Sequence, residues 1–206
     1  MKASALKSLA AGSVLVAIST IHAALIDFES LEFTASPGDD QFQLIGSSYT
    51  EEGFRLEAPV TFANYSTDFI NYPGSTAIYN NTPGTLTELN HILGNPFDLL
   101  SIDLSRLSPG LGDQTVTFEG TFSDSSIITE AFTTTGDFGL QTFSFTGFEN
   151  VVSVSWEQAF PFHQFDNIEV VASSSPISSV PEPASFGSIG VLVIFLTIIY
   201  RRFKRR

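Results

Sequence analysis

The sequence predicts an all-β fold, a two-sheet antiparallel sandwich of the jelly-roll type, flanked by two terminal segments that do not belong to it. Apolar and polar residues alternate with a period of two along many short stretches. Clusters of Gly, Pro, Asn, Asp and Ser separate these stretches. Seventeen of the 20 phenylalanines lie between residues 24 and 180. Because burying one phenylalanine stabilises a fold by roughly 1.5–3 kcal/mol, this core needs no disulfides, and the chain has no cysteine.

The strands themselves are predicted from the alternation and from β-branched and aromatic residues. The candidates are residues 25–33, 53–58, 60–64, 99–104, 116–122, 127–132, 142–146, 152–157 and 165–171. Trp156 continues the alternation of Val152 and Val154, so we expect it in the core. No long amphipathic helix interrupts the series. Many short strands at this spacing favour a sandwich, and the jelly roll is the usual form at this length.

The amino terminus has the layout of a secretory signal peptide. Lys2 and Lys7 precede an apolar stretch of 13 residues from Leu9 to Ile21, and Ala23 follows as a small residue at a cleavage point. We expect a signal peptide over residues 1–23, removed after Ala23 or Ala24. The alternative is an uncleaved anchor helix. Removal of the signal would take His22 with it.

The carboxyl terminus has three parts in a fixed order. Val180, Pro181, Glu182 and Pro183 come first, and an uncharged apolar run of 17 residues, 184–200, follows. As a helix this run would be about 25 Å long, enough to cross the core of a bilayer. Five cations close the chain: Arg201, Arg202, Lys204, Arg205 and Arg206. The sequence therefore predicts one transmembrane helix whose basic end stays in the cytoplasm; a buried core helix does not fit so basic an end.

This order of Val-Pro-Glu-Pro, short span and basic end resembles the PEP-CTERM sorting signal of Gram-negative bacteria. The resemblance implies recognition by an exosortase, a membrane-embedded cysteine protease, and delivery to the cell surface or the exopolysaccharide matrix. Residues 180–206 would be the sorting signal and residues 173–179, rich in Ser with one Pro, its flexible tether. The span is rich in Val, Ile and Leu where many family members have Gly, which leaves a stable tail anchor as the alternative to cleavage.

The charge of the exported segment excludes one class of partner. Two arginines against 21 acids give residues 24–180 a net charge of −19. Such a charge repels phosphate backbones, so nucleic acid binding is excluded and an anionic membrane surface is disfavoured. The negative charge favours the binding of hard divalent cations. The lack of cysteine excludes thiolate metal sites and thiol catalysis.

The predicted domain, residues 24–172, resembles the jelly-roll ectodomains of PEP-CTERM proteins and, beyond them, carbohydrate-binding modules of the galactose-binding-domain type. The resemblance rests on Ile26-Asp27-Phe28-Glu29, on the Tyr49–Phe54 phrase and on Phe165–Val170. It implies that the first and last strands lie side by side and that their acids hold a structural calcium ion. The candidate ligands are Asp27 or Glu29 with Asp166, and Glu169. The alternative is that Asp166 and Asn167 form a turn or a hydrogen-bonding pair.

A sugar-binding surface needs aromatic faces and hydrogen-bonding side chains. Tyr65, Tyr72 and Tyr79 lie in the irregular segment 64–84, each near an asparagine. The same residues could instead cover a sheet edge or one end of the core. Convergence of the three tyrosines on an open face would favour binding, and inward packing would favour a structural role. Further candidates for sugar contact are Trp156, His163 and Gln164.

No motif points to catalysis. The segment contains only His91 and His163 for a triad or a metal site, and it has neither GxSxG nor HExxH nor a glycine-rich phosphate loop. With 21 acids present, a pair such as Glu119 and Glu157 carries no information about glycoside hydrolysis. We therefore expect a non-enzyme. It would be either a surface-displayed module that binds polysaccharide or a structural matrix component without a discrete ligand.

Overall fold

A computed structural model describes residues 23–173, and this part of the chain is all-β, as predicted. Its strands are β1 (Ala23–Ile26), β2 (Phe42–Glu51), β3 (Phe54–Tyr65), β4 (Ile78–Asn80), β5 (Leu86–His91), β6 (Phe97–Arg106), β7 (Thr115–Phe122), β8 (Ile127–Thr133), β9 (Gln141–Ser144), β10 (Val151–Glu157) and β11 (His163–Ala172). The helical content of these residues is one 3-10 turn, Glu29–Leu31. Within them no helix could span a membrane. The predicted sorting signal and all but the last residue of the signal peptide lie outside the described residues.

All strand pairs are antiparallel, and they follow the order β8-β7-β10-β5-β3-β4-β11-β6-β9, with β2 on β3 and β1 on β11. Strand β3 passes from one layer of the sandwich to the other, since its residues 54–57 pair with β5 and its residues 62–64 pair with β4. Pro59, which has no N–H to donate, lies in the stretch between these two pairings. Contact between Val151 of β10 and Phe97 of β6 joins the layers a second time.

Several sequence-predicted strands need correction. Residues 25–33 do not form one strand, because Phe28 is in the left-handed region (φ 54) and leads into the 3-10 turn. Residues 53–58 and 60–64, predicted as two strands, belong to the single strand β3. Strands β2, β4 and β5 were not predicted, since Gly46 and its serines interrupt the alternation in β2 and β4 has only three residues.

The core is a continuous layer of aromatic and aliphatic side chains between the sheets. Phe165 lies at its centre, with ring centroids 5.0 Å from Trp156, 5.9 Å from Phe28 and 6.4 Å from Phe62. Trp156 is 2% exposed, which confirms its predicted place in the core. The expectation that the first and last strands lie side by side is also confirmed, because β1 pairs with β11 along its whole length.

Packing around Gly120 of β7 leaves no room for a larger side chain. An added Cβ would lie 2.9 Å from two ring carbons of Phe148 and 3.0 Å from Cγ2 of Ile128. Since Phe148 is buried, its ring cannot swing into solvent. We expect Gly120→Ala to lower the free energy of unfolding by about 1–3 kcal/mol in a denaturant titration.

Gly112 supplies the matched control. Nothing lies within 4 Å of an added Cβ there, and its backbone is outside the left-handed region. Gly112→Ala should therefore change stability by less than about 0.5 kcal/mol. Equal effects of the two variants would contradict the packing argument.

Candidate functional site

A buried carboxylate lies on the outer face of β11. Because Phe165 faces the core, its neighbour Asp166 points to the opposite side of the sheet, where it is fully buried. It faces Asp103 of β6 across the register. Asn167, at an irregularity in β11 with φ 47, joins the two acids. Its backbone N–H donates to Oδ1 of Asp166 (2.7 Å) and its side-chain amide donates to Oδ2 of Asp103 (2.9 Å).

Glu29 extends this acidic cluster from the 3-10 turn. Ser75 donates its hydroxyl to Oε1 of Glu29 (2.7 Å), and the backbone N–H of Thr76 donates to the same oxygen (3.3 Å). Burial raises the pKa of Asp166 to about 7, and the charges of Glu29 and Asp103 act in the same direction. Hydrogen bonds from Ser75 and Asn167 oppose the rise in pKa. The cluster therefore holds a carboxyl group that titrates near neutrality.

The four candidate calcium ligands are only partly brought together. Glu29 and Asp166 both lie next to Ser75, whose hydroxyl donates to Glu29, whereas Asp27 uses Oδ1 to accept the backbone N–H of Glu29 (3.1 Å). Glu169 accepts the hydroxyl of Ser101 (3.2 Å). In residues 23–173 no group of three or more His, Asp and Glu side chains is placed to hold a metal ion. The calcium site stays a prediction, and the hydrogen-bonding pair of Asp166 and Asn167 is present.

The predicted tyrosines do not converge on one open face. Tyr65 and Tyr79 stack with ring centroids 5.1 Å apart and an interplanar angle of 21°. Tyr79 is 4% exposed, and its burial raises the pKa of its hydroxyl far above the ordinary value. Tyr72 points elsewhere, with its hydroxyl 3.5 Å from Oε2 of Glu32. Two of the three rings thus form one cluster, and the deeper of the two is closed to solvent.

The stacked tyrosines belong to a larger aromatic patch, which we define as Tyr65, Phe69, Phe160 and Phe162 around the buried Tyr79. Phe69 lies on Tyr65 with a centroid distance of 5.2 Å. Phe162 packs on the cluster that contains Tyr79 and Leu107. Phe160, 6.2 Å from Phe162, is 78% exposed. Partly exposed rings of this kind can stack on the apolar face of a flat ligand.

Sequence reasoning found two of these five rings, Tyr65 and Tyr79. Phe69 was missed because it lies outside any alternating stretch, and the exposure of Phe160 has no signature in the sequence. The other candidates for sugar contact, Trp156, His163 and Gln164, are all buried. They are therefore not surface platforms.

Comparison with known proteins yields distant likenesses in structure alone. No protein-family model matches the chain, and no curated protein matches it. One similar solved structure is a carbohydrate binding module of family 29, at 10% identity and a TM-score of 0.34, over 74% of this chain and 90% of that one. Another is a mutant family 29 module complexed with mannohexaose, also at 10% identity and a TM-score of 0.34, over 74% and 93% of the two chains.

A third similar structure comprises the CBM22-1 and GH10 modules of an endo-1,4-β-D-xylanase 10B from Clostridium thermocellum, complexed with xylohexaose. Identity is 14% and the TM-score is 0.33, over 71% of this chain and 28% of that one. At these identities and scores, none of the three likenesses carries an argument about the ligand of this protein.

Proposed function

We propose that this protein is an exported, C-terminally sorted component of the cell surface or exopolysaccharide matrix of a Gram-negative bacterium, with a non-catalytic β-sandwich that binds carbohydrate. The terminal segments of the sequence support export through the Sec machinery and a single membrane span, and their resemblance to the PEP-CTERM sorting signal supports processing by an exosortase. A reporter fused just upstream of Pro181 should be found outside the cytoplasm, and its recovery inside the cytoplasm would contradict the proposal.

The aromatic patch is the observation that carries carbohydrate binding. Its rings form two pairs, Tyr65 with Phe69 and Phe160 with Phe162, and Phe160 presents most of its surface to solvent. Fixed rings of this kind lose little conformational entropy on binding, and their faces match the C–H faces of pyranose rings. The net charge of −19 between residues 24 and 180 disfavours acidic polysaccharides, so the ligand is an uncharged glycan.

A glycan array tests this function with the protein as recovered from producing cells, with and without calcium. We expect retention of a defined uncharged glycan. The double variant Tyr65→Ala, Phe160→Ala should weaken this retention about tenfold or more, since it removes two contact rings. Tyr72→Phe is the matched control, because it changes an aromatic residue whose hydroxyl faces Glu32 outside the patch. Equal retention by wild type and double variant would rule out the patch as the binding surface.

A purely structural role is the second candidate. The observation that favours it is the inward packing of Tyr79, together with the separate position of Tyr72, because the tyrosines then complete a small satellite core rather than a binding face. Absence of retention across the whole array would decide for this role. In that case the double variant should alter stability without altering any ligand contact.

A further inference from the structure

One end of the sandwich gathers the ends of eight strands. Strands β4, β6, β8 and β10 end there, and β5, β7, β9 and β11 begin there. Four connections close this end: residues 81–85, 107–114, 134–140 and 158–162. The interior just beneath these loops differs from the rest of the core.

Nine of the twelve buried side-chain polar atoms without a hydrogen-bond partner in residues 23–173 belong to inward-facing side chains at this end. They are Nδ2 and Oδ1 of Asn80, Oγ1 of Thr87, Nε of Arg106, Oε1 of Gln114, Nε1 of Trp156, Oε1 of Gln158, and Nδ1 and Nε2 of His163. We call these atoms and the interior next to them the end chamber. Six of its seven side chains are 3% exposed or less, and the Nε of Arg106 is itself buried.

Strand periodicity directs these side chains inward. A residue two positions along a strand faces the same side of the sheet. His163 thus shares a face with Phe165, Asn80 with Ile78, and Thr87 with Leu89, and these partners are core residues. The same holds for Gln114 with Val116 and for Arg106 with Leu104. The polar atoms form the layer that follows the last apolar layer of the core.

Register and contacts bring the side chains together. His163 lies opposite Arg106 on neighbouring strands, and Trp156 lies opposite Thr87 on the other sheet. Phe165 contacts both groups, with centroid distances of 6.4 Å to His163 and 5.0 Å to Trp156. Gln158 donates its amide to the backbone oxygen of His163 (2.9 Å), which leaves its Oε1 free. The chamber is therefore lined from both sheets.

Without hydrogen-bond partners in the end chamber, these polar atoms would strongly lower the stability of the folded state. A buried polar atom without a partner carries the full cost of its desolvation, and nine such atoms together would outweigh the net stability of an ordinary domain. The set is mixed, because the free groups of Asn80, Arg106 and Trp156 include donors while those of Gln114 and Gln158 are acceptors. His163 adds one donor and one acceptor as a neutral ring, and burial lowers its pKa to about 3. Hydroxyl groups, which both donate and accept, suit such a set.

We infer that the end chamber is an internal binding site for hydroxyl groups, supplied either by ordered water molecules or by a sugar unit that enters between the four loops. The sugar source rests on the proposed function, whereas the water source does not. No carboxylate is among these unpartnered atoms, and in residues 23–173 no group of three or more His, Asp and Glu side chains is placed to hold a metal ion. Internal waters that each make about three hydrogen bonds commonly satisfy such groups.

A high-resolution crystal structure of the protein as recovered from cells, alone and soaked with glucose or mannose, tests the site. We expect bound oxygen atoms at about 2.7–3.2 Å from most of the nine polar atoms. Waters in both crystals identify water as the occupant, and replacement of waters by sugar hydroxyls in the soaked crystal identifies a sugar. An empty interior in which these side chains bond to one another overturns the inference.

Thr87→Val gives an independent test in solution, because it removes one hydroxyl and keeps the shape. If that hydroxyl binds an occupant, its loss should lower the midpoint of thermal unfolding by about 2–4 °C. If the chamber is dry, the variant removes an unpaired polar group and should raise the midpoint, which would overturn the inference. Thr117→Val, at an exposed position of β7, is the control and should shift the midpoint little. If no glycan on the array were retained, the results of the crystal structures and of the unfolding midpoints would still stand. Failure of the proposed function is therefore distinguishable from failure of this site.

Discussion

Phe165→Ala should lower the free energy of unfolding by about 3–5 kcal/mol, a large part of the stability of a domain this size. Phe165 is fully buried in the last strand, and its ring contacts Phe28, Phe62 and Trp156 from both layers of the sandwich. Truncation to alanine leaves a cavity that these rings cannot fill, because each is fixed by its own strand. Urea titration followed by the fluorescence of Trp156 measures the loss directly.

Phe160→Ala is the matched control for this variant. It removes the same ring from a position that is 78% exposed, so we expect a change of less than about 0.5 kcal/mol. Phe165→Leu should lie between the two, since it retains most of the buried volume. A loss at Phe165 no larger than the loss at Phe160 would show that the two sheets do not pack through this residue.

Asp166→Asn should stabilise the protein at neutral pH by up to about 4 kcal/mol. The pKa of Asp166 is about 7 in the folded chain against 3.8 as the model value, so between these values the folded state binds more protons than the unfolded state. The contribution of this group to stability is therefore full below about pH 4 and is lost as the pH rises through 7. Asparagine keeps the shape and an acceptor for the N–H of Asn167, but it has no charge to bury.

His163 has the opposite pH dependence, which makes it the sharpest comparison for the Asp166 variant. Burial lowers its pKa to about 3 from 6.5, so its contribution to stability is present above pH 6.5 and is lost as the pH falls toward 3. Between about pH 4 and 6.5 the two groups offset each other. Relative to wild type, stability should rise with pH in Asp166→Asn and fall with pH in His163→Gln, each by about 1.4 kcal/mol per pH unit.

Urea midpoints measured across this pH range check both slopes. Other carboxylates titrate in all three proteins and cancel when each variant is compared with wild type. If the urea midpoints of wild type and both variants changed with pH in parallel, neither Asp166 nor His163 would have a shifted pKa in the folded protein. A change in stability that is the same at every pH would not contradict the predicted slopes, since His163→Gln also alters the end chamber.

Local patterns in the sequence were enough to predict most of the strands that build the core, although β4 and β5, which contribute Ile78 and Leu89, were missed. The alternation at Val152, Val154 and Trp156 correctly predicted both a strand and a buried tryptophan. The likeness of the first and last strands to those of carbohydrate-binding modules correctly implied that β1 and β11 are neighbours. These features are predictable because side chains alternate between the two faces of a strand, whatever the strand pairs with.

Contacts between residues that are distant in the sequence could not be predicted from such local patterns. Asp103 was not predicted to face Asp166, because the strand register that opposes them joins residues far apart in the chain. Tyr79, in β4, packs inward beneath Tyr65, the last residue of β3, although the sequence predicts both in one irregular segment and nothing local distinguishes them.

By itself, then, the sequence determined the all-β class, the aromatic core and the acidic character of the segment between the termini, since each follows from composition and short-range order, and it predicts the export and sorting segments. The tertiary structure alone decided which acids meet at Asp166, which rings remain exposed and where unpaired polar atoms gather. The physical reason is that these features depend on strand pairing and register, which bring together side chains that no local pattern relates.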